Sequence, residues 1–270
     1  MKLQKHYWYI TLFIITIITI YYGIRFYAYY SPPKERPIYK TEQHYDDTIR
    51  ISYIGDSWAL GHKYHQCQLS AILSDSLHQP VIVKSYGIGG LTSKEIYHAL
   101  FEIASLRQFM IKGYDYCIIS AGINDTHKKM SISYYTKSIE CISNFLQANH
   151  IHPIILEIPD YNIYKAYTDQ SPKDKLVQNI SMIINNQEKD CKHLFRDALT
   201  NIVKEKQSTD ISIIRYLSWN RNYSTDLKTL YISDQVHLNE KGYQALDRSL
   251  AREICKHYRT HIHQKSLTKK

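Results

Sequence analysis

"YIGDSWALG", Tyr53–Gly61, decides how the chain is read. Arg50–Ile54 is an apolar, β-branched run and reads as a strand; from Trp58 to about Leu77 the apolar residues fall at helical spacing. Gly55-Asp56-Ser57 is the handover between them. A serine there has its hydroxyl beside the unsatisfied N–H groups and the positive dipole end of a helix. An oxyanion forming at that point would be stabilised. The same serine could simply cap the helix, so the tripeptide alone does not decide. It is not a G-x-S-x-G elbow, because Ala59 stands where the second glycine is required.

Outward from this point, strand and helix alternate. "VIVKSYG" from Val81, "YDYCIIS" at Tyr114–Ser120, "PIILEIP" at Pro153–Pro159 and "ISIIRYL" at Ile211–Leu217 read as further strands. Helical spacing covers Ser93 to about Met110, Ser131 to about Asn149, and Asn239 to about His257. The strands are continuous apolar runs, not alternating ones. That predicts an α/β fold, a parallel sheet of about five strands buried between helices on both faces. In such sheets ligands bind beyond the carboxyl ends of the strands.

Three more motifs bear on that edge. "SYGIGGLTS", Ser85–Ser93, is a glycine turn after the second strand, able to bring backbone N–H close to a ligand; a plain turn capped by Thr92 or Ser93 would look the same. "AGIND", Ala121–Asp125, follows the third strand; Asn124 could offer a side-chain N–H, or form an Asx turn. "DQVHLNEKGY", Asp234–Tyr243, precedes the last helix. There a carboxylate three residues before an imidazole can orient it as a base for a serine hydroxyl. Set against this, the chain has 14 histidines, so a lone one can be an ordinary surface residue.

Taken in order, Gly-Asp-Ser, the glycine turn, Gly-x-Asn-Asp and Asp-x-x-His resemble the SGNH (GDSL-type) hydrolase family over about residues 50–257. The resemblance implies a three-layer, flavodoxin-like α/β/α fold and ester hydrolysis or acyl transfer. It casts Ser57 as nucleophile, His237 as base and Asp234 as its orienter. The oxyanion donors would be the Ser57 and Gly90 N–H groups and the Asn124 side chain, with Gly89 the other choice for the glycine. Trp58 stands where the family name has leucine, and Ser85 where the second block has asparagine. No metal or organic cofactor is implied.

The remaining features set the context. Hydrophobic residues make up 44% and charged residues 22% of 270, ample for a globular core. Lys and Arg exceed Asp and Glu by 34 − 25 = +9. This excess thickens only in the tail "KHYRTHIHQKSLTKK" and accompanies no nucleic-acid-binding signature. Cys67, Cys117, Cys141, Cys191 and Cys255 are odd in number and unpaired in spacing, which argues against a disulfide framework, and Cys117 reads as core. His62 and His65 could hold a metal with Cys67, but a solvated first helix is the plainer reading. Tyr161, Tyr164 and Tyr167 follow the fourth strand, either lining a substrate cleft or lying on a surface loop.

Tyr7–Ile24 carries no charge and has aromatic residues at both ends. A helix of that length spans about 27 Å, close to the roughly 30 Å of a bilayer core. No A-x-A-like site follows, so the run predicts an uncleaved anchor. Lys2 and Lys5 before it and Arg25, Lys34, Arg36 and Lys40 after it leave orientation open on charge; the resemblance together with the anchor puts the domain on the extracytoplasmic side. The expected order is a short basic start at 1–6, the anchor at 7–24, an extended linker at 25–48, the hydrolase-like domain at 49–258 and a basic tail at 259–270. The function expected is removal of an acetyl or short acyl group from a small molecule or envelope glycan. The alternatives are O-acyl transfer to a sugar, lipid esterase or thioesterase action, and an inactive glycan-binding module.

Overall fold

In the computed structural model, which describes residues 2–65, 68–205 and 211–267, the chain divides into two units, Met1–Pro32 and Pro33–Lys270. The first is one helix, α1 (Lys2–Tyr30), of which Tyr7–Tyr30 is long and apolar enough to cross a membrane. The hydroxyls of Thr11, Thr16 and Thr19 each donate to the carbonyl four residues back, so the threonine hydroxyls are satisfied within the helix. The helix runs past the expected end at Ile24 and includes Arg25.

The second unit holds five strands: β1 (Ile49–Gly55), β2 (Val81–Gly87), β3 (Tyr116–Ser120), β4 (His152–Leu156) and β5 (Ser212–Ile214). They pair in the order β2-β1-β3-β4-β5, all parallel. Connecting them are α2 (Ser57–Tyr64), α3 (Leu69–Leu77), α4 (Ser93–Glu102), α5 (Ala104–Ile111), α6 (Ile123–Lys128), α7 (Ile132–Gln147), α8 (Ile163–Thr168), α9 (Pro172–Ile184), α10 (Lys192–Glu205), α11 (Tyr223–Thr229) and α12 (Glu240–Leu267). α3 packs on α12 against one face of the sheet, and α4, α7 and α10 pack side by side on the other. Every residue of β3 is buried, as expected for a central parallel strand. The strand order switches from one side of β1 to the other between β2 and β3, and there the carboxyl ends lie level: Gly55 is opposite Gly87 and Ser120.

Several boundaries differ from the sequence reading. The first predicted helix is two, α2 and α3, because the Gln68 N–H donates to Asp247 Oδ2 on α12 and holds the chain out of helical register. Cys67 lies outside the described residues. The helix expected over Ser93–Met110 breaks at Ile103, whose backbone is extended. The long segment after β4 holds α8, α9 and α10, and its capping signals are plain: Asn162 caps α8, and Ser171 followed by Pro172 starts α9. β5 is shorter than expected because Tyr216–Ser218 turns into a 3-10 helix. The stretch expected as a basic tail continues α12 as far as Leu267. Cys117, Cys141, Cys191 and Cys255 are free and buried, and burial pushes the Cys117 thiol up to about 12.

The predicted linker is not a free tether. Residues 33–44 lie along α4, α5 and the end of α7. The Arg36 N–H donates to the Tyr97 hydroxyl, the Tyr39 hydroxyl to the Leu100 carbonyl, and the Glu42 N–H to the Ile111 carbonyl. Asn149 joins the strap from beneath, accepting from Thr41 N and donating to Tyr39 O. The Tyr39 ring packs on Phe101 and Phe145, with the Arg107 guanidinium 4.9 Å from its centre. Tyr39→Ala should therefore cost about 2 kcal/mol, below the usual loss for a fully buried aromatic because the ring is half-buried. Thermal unfolding should shift down by roughly 4–8 °C; an unchanged midpoint would show that the strap does not contribute to the fold.

Candidate active site

The site is built on the level strand ends. Gly55 has φ +150°, and a Cβ on it would fall 2.2 Å from the Ser120 carbonyl oxygen, so only glycine lets β1 end this close to β3. Asp56 follows, fully buried. Its Oδ1 accepts the Trp58 N–H at 3.0 Å and the Ser120 hydroxyl at 3.1 Å, capping α2 and tying it to β3. The cap is thus the aspartate, which leaves the Ser57 side chain at the first helical position uncommitted to capping.

Ser57 Oγ lies 2.8 Å from His237 Nε2, and His237 Nδ1 lies 2.6 Å from Asp234 Oδ2. Asp234 Oδ1 accepts the N–H groups of Val236 and His237 at 2.8 and 2.9 Å. Burial pulls the Asp234 carboxyl upward, but the hydrogen bonds from His237 and Val236 outweigh it and hold the group below its ordinary value. The structure therefore brings together residues 180 positions apart in sequence. The site is open to solvent, with the His237 and Asp234 side chains 40% and 37% exposed.

Trp58, the departure from the family leucine, has a visible role. Its indole N–H donates to the Val236 carbonyl, within the loop that carries both Asp234 and His237. Its ring packs edge-on against Trp219 and Tyr231. Gln235, in the same loop, has a positive φ of 59°. Asn162, at the start of α8, holds it by donating its backbone N–H to the Gln235 carbonyl and Nδ2 to Gln235 Oε1.

The other two motifs are joined to each other through α6. Asn124 sits in its first turn and donates Nδ2–H to the Leu91 carbonyl at 3.0 Å, which uses one of the two amide hydrogens. Lys128 Nζ donates to the Gly90 carbonyl at 3.0 Å. Asp125 accepts the Ser93 N–H at 2.9 Å and the Ser93 hydroxyl at 2.5 Å. The glycine turn is therefore hung on α6 at three points. Gly90 has φ +79° and open space around its Cα, whereas a Cβ on Gly89 would lie 3.9 Å from Ser57 Cβ. Gly87 is confined: a Cβ there would fall 2.0 Å from Leu60 N. Asp125, Lys128 and Asn162 escaped the sequence reading as site-forming residues. Asp125 stood inside a quoted motif and Asn162 offered a helix-cap signal, while Lys128 carried no local signal.

Two sequence expectations are corrected. His62 is not on a solvated helix face: it is buried, with Nδ1 2.8 Å from Ser85 Oγ and Nε2 2.9 Å from Asp247 Oδ1. Ser85, in the asparagine position of the family, is thus part of a buried polar chain joining β2, α2 and α12. Among the described residues no cluster of His, Cys, Asp or Glu could hold a metal. Tyr161 is core and does not line a cleft; its hydroxyl lies 2.7 Å from Thr126 Oγ1. Tyr164 is exposed on α8, and the Tyr167 hydroxyl donates to Asn179.

The sequence profile of the GDSL-like lipase/acylhydrolase family matches residues 53–245. Among solved structures, the chain is similar to a GDSL-like lipase of Bacteroides thetaiotaomicron at 17% identity and a TM-score of 0.51, covering 77% of this chain and 88% of that one. An acetylxylan esterase of Geobacillus stearothermophilus is similar at 17% identity and a TM-score of 0.50, covering 76% and 94%. At that identity the likeness is one of fold. No curated protein matches the sequence.

Burial raises the carboxyl of Asp125 to about 6, more than its hydrogen bonds to Ser93 and the charge of Lys128 lower it. A folded-state value above the ordinary 3.8 means that the native protein holds a proton the unfolded chain has released. This contribution is present in full below about pH 4 and is lost as pH rises to about 6. The stability of the wild type relative to Asp125→Asn should accordingly fall between pH 4 and 6 and stay level above it, as read by urea unfolding across that range. A difference independent of pH would show that Asp125 keeps an ordinary acidity in the fold.

Proposed function

Because the chain belongs to the GDSL-like lipase/acylhydrolase family and is a hydrolase of ester bonds, we propose that it is a membrane-anchored serine esterase. In this reading it removes an O-acetyl or other short acyl group from a glycan by means of Ser57, His237 and Asp234. The observation that carries the reading is the 2.8 Å contact of His237 Nε2 with Ser57 Oγ, backed by Asp234 at 2.6 Å.

The chemistry follows from those distances. Ser57 Oγ attacks the acyl carbon as its proton passes to His237 Nε2. The imidazolium so formed is stabilised by Asp234, which accepts from Nδ1–H and also fixes the tautomer. The carbonyl oxygen becomes an oxyanion. Its donors are the Ser57 N–H, one of the orphan donors at the start of α2, the Gly90 N–H and the second hydrogen of Asn124 Nδ2. His237 then returns the proton to the departing alkoxide, leaving an acyl-serine. Water, deprotonated by His237, attacks that ester, and collapse of the second tetrahedral intermediate releases the acid and re-forms the serine hydroxyl. If a sugar hydroxyl replaces water, the same steps give O-acyl transfer, so an assay with and without sugar acceptors separates the two.

The short-acyl, glycan reading is supported by the openness of the site, which leaves room for a polymeric alcohol, and by the fold shared with an acetylxylan esterase. The anchor is supported by the apolar length of Tyr7–Tyr30; the extracytoplasmic placement follows from a glycan substrate. The full chain should remain in the membrane pellet after an alkaline carbonate wash, and its release into the supernatant would remove the anchor from the reading. Among esters of increasing acyl length, acetyl and propionyl should be cleaved best. A rising rate toward long chains would point to lipid instead.

Ser57→Ala and His237→Ala should each nearly abolish turnover, with the double variant little worse, because the residues act as a unit. A fluorophosphonate should label the wild type and spare Ser57→Ala. Asn124→Ala should lower kcat on the order of a hundredfold with a smaller change in KM. Folded His237→Ala with wild-type turnover, or a probe adduct on another serine, would sink the assignment.

A further inference from the structure

A groove of about 920 Å³ runs between α3 and the loop after β5, floored by α12. Its floor and walls are apolar, with Ile72, Trp219, Ala245, Ala251 and Cys255, but its rim is cationic, formed by Arg221 and by Arg248, Arg252, Lys256 and Arg259 of α12. The four on α12 recur every three or four residues and so form one stripe, about 16 Å long at 1.5 Å per residue. All five are exposed, and none has a carboxylate partner among the described residues. Instead Arg252 and Arg221 donate to the Ser218 carbonyl, and Arg259 to that of Ser76. Glu253, beside the stripe, accepts from the Ser212 hydroxyl.

Like charges at i, i+4 destabilise a helix. Arg248, Arg252 and Lys256 follow one another at that spacing, and an anion lying over them would relieve their mutual repulsion. Concavity narrows what that can be. A flat bilayer surface reaches the rim and not the floor, whereas an extended strand can lie along the groove with its charges facing the stripe. Guanidinium groups suit carboxylate or phosphate in paired hydrogen bonds, and an apolar floor suits the CH faces of sugar rings. We propose that this groove is a binding site for a strand of anionic glycan, carrying carboxylate or phosphate groups along its length. The site is distinct from the Ser57 centre but joined to it: Trp219 in the groove wall packs on Trp58, the residue after Ser57. The stripe starts about 12 Å along α12 from the helix end that follows His237. A strand held there would lead toward the serine, and this last step rests on the esterase reading.

The test uses the full chain in nanodiscs of neutral phosphatidylcholine, titrated with polygalacturonate at low salt. The wild type should bind it and should bind neutral dextran at least about tenfold more weakly. The triple substitution Arg248→Gln, Arg252→Gln, Lys256→Gln should reduce affinity for polygalacturonate by at least about tenfold. It should also make the salt dependence shallower, since fewer counterions are released. Hydrolysis of p-nitrophenyl acetate should be unchanged, which certifies the fold. If the triple variant loses that activity, Lys256→Gln alone carries the same comparison. Unaltered polygalacturonate affinity in the variant would overturn the proposal, as would equal binding of dextran. Capture by phosphatidylglycerol vesicles without any binding of polygalacturonate would assign the stripe to a lipid surface instead. The binding arm does not depend on ester cleavage, so a chain that cleaves no ester yet binds through the stripe refutes the esterase reading and leaves the groove standing.

Discussion

The buried carboxylate of Asp56 is where the strand ends, the first helix and the candidate site are joined. Its Oδ1 takes the Trp58 N–H, which starts α2, and the Ser120 hydroxyl, which fixes the end of β3. Its own N–H donates to the Ser120 carbonyl at 3.2 Å. Burial pushes this group up to about 6 against those same bonds, so the fold keeps an acid where it is expensive to keep one. What results is a serine one residue on, at the head of a helix, with its hydroxyl left for another partner.

The partner arrives from the far end of the chain, and much of the polar structure serves to hold it. The loop bearing Asp234 and His237 is tied by the Trp58 indole from one side and by Asn162 from the other. Behind α2, the Tyr243 hydroxyl donates to the Trp58 carbonyl, and His62 bonds to Asp247. Both ties run from α2, which carries the serine, to α12, the helix that begins just after the histidine. A site assembled from two distant pieces of chain needs such cross-braces, because a displacement of about 1 Å between nucleophile and base costs on the order of a hundredfold in rate.

A second economy appears at the glycine turn. Its position does not come from its own sequence but from α6, which grips it through Asn124, Asp125 and Lys128. The residue proposed to donate to an oxyanion and the residues that hold the glycine turn, proposed to supply a second donor, thus lie on one short helix. The strap of residues 33–44 has the same character at the opposite end: a segment whose composition reads as a linker becomes part of the body once Tyr39 finds Phe101 and Phe145.

By itself the sequence determined the fold class, the position of each strand within a few residues, the apolar N-terminal helix and the residues that meet at the candidate site. Each of these depends on local pattern or on motif order: continuous apolar runs, helical spacing, and Gly-Asp-Ser far upstream of Asp-x-x-His. The caps that start α8 and α9 were equally local and were open to the same reading. Only the tertiary structure decided the rest. It broke the first helix at Gln68 and buried His62 through partners on α12, made Tyr161 core, and gave Trp58 the Val236 carbonyl to hold. It also gathered the cations of α12 and Arg221 around one groove. These outcomes turn on which groups lie within about 3 Å after folding. A partner 178 or 185 residues away leaves no periodicity for the sequence to display.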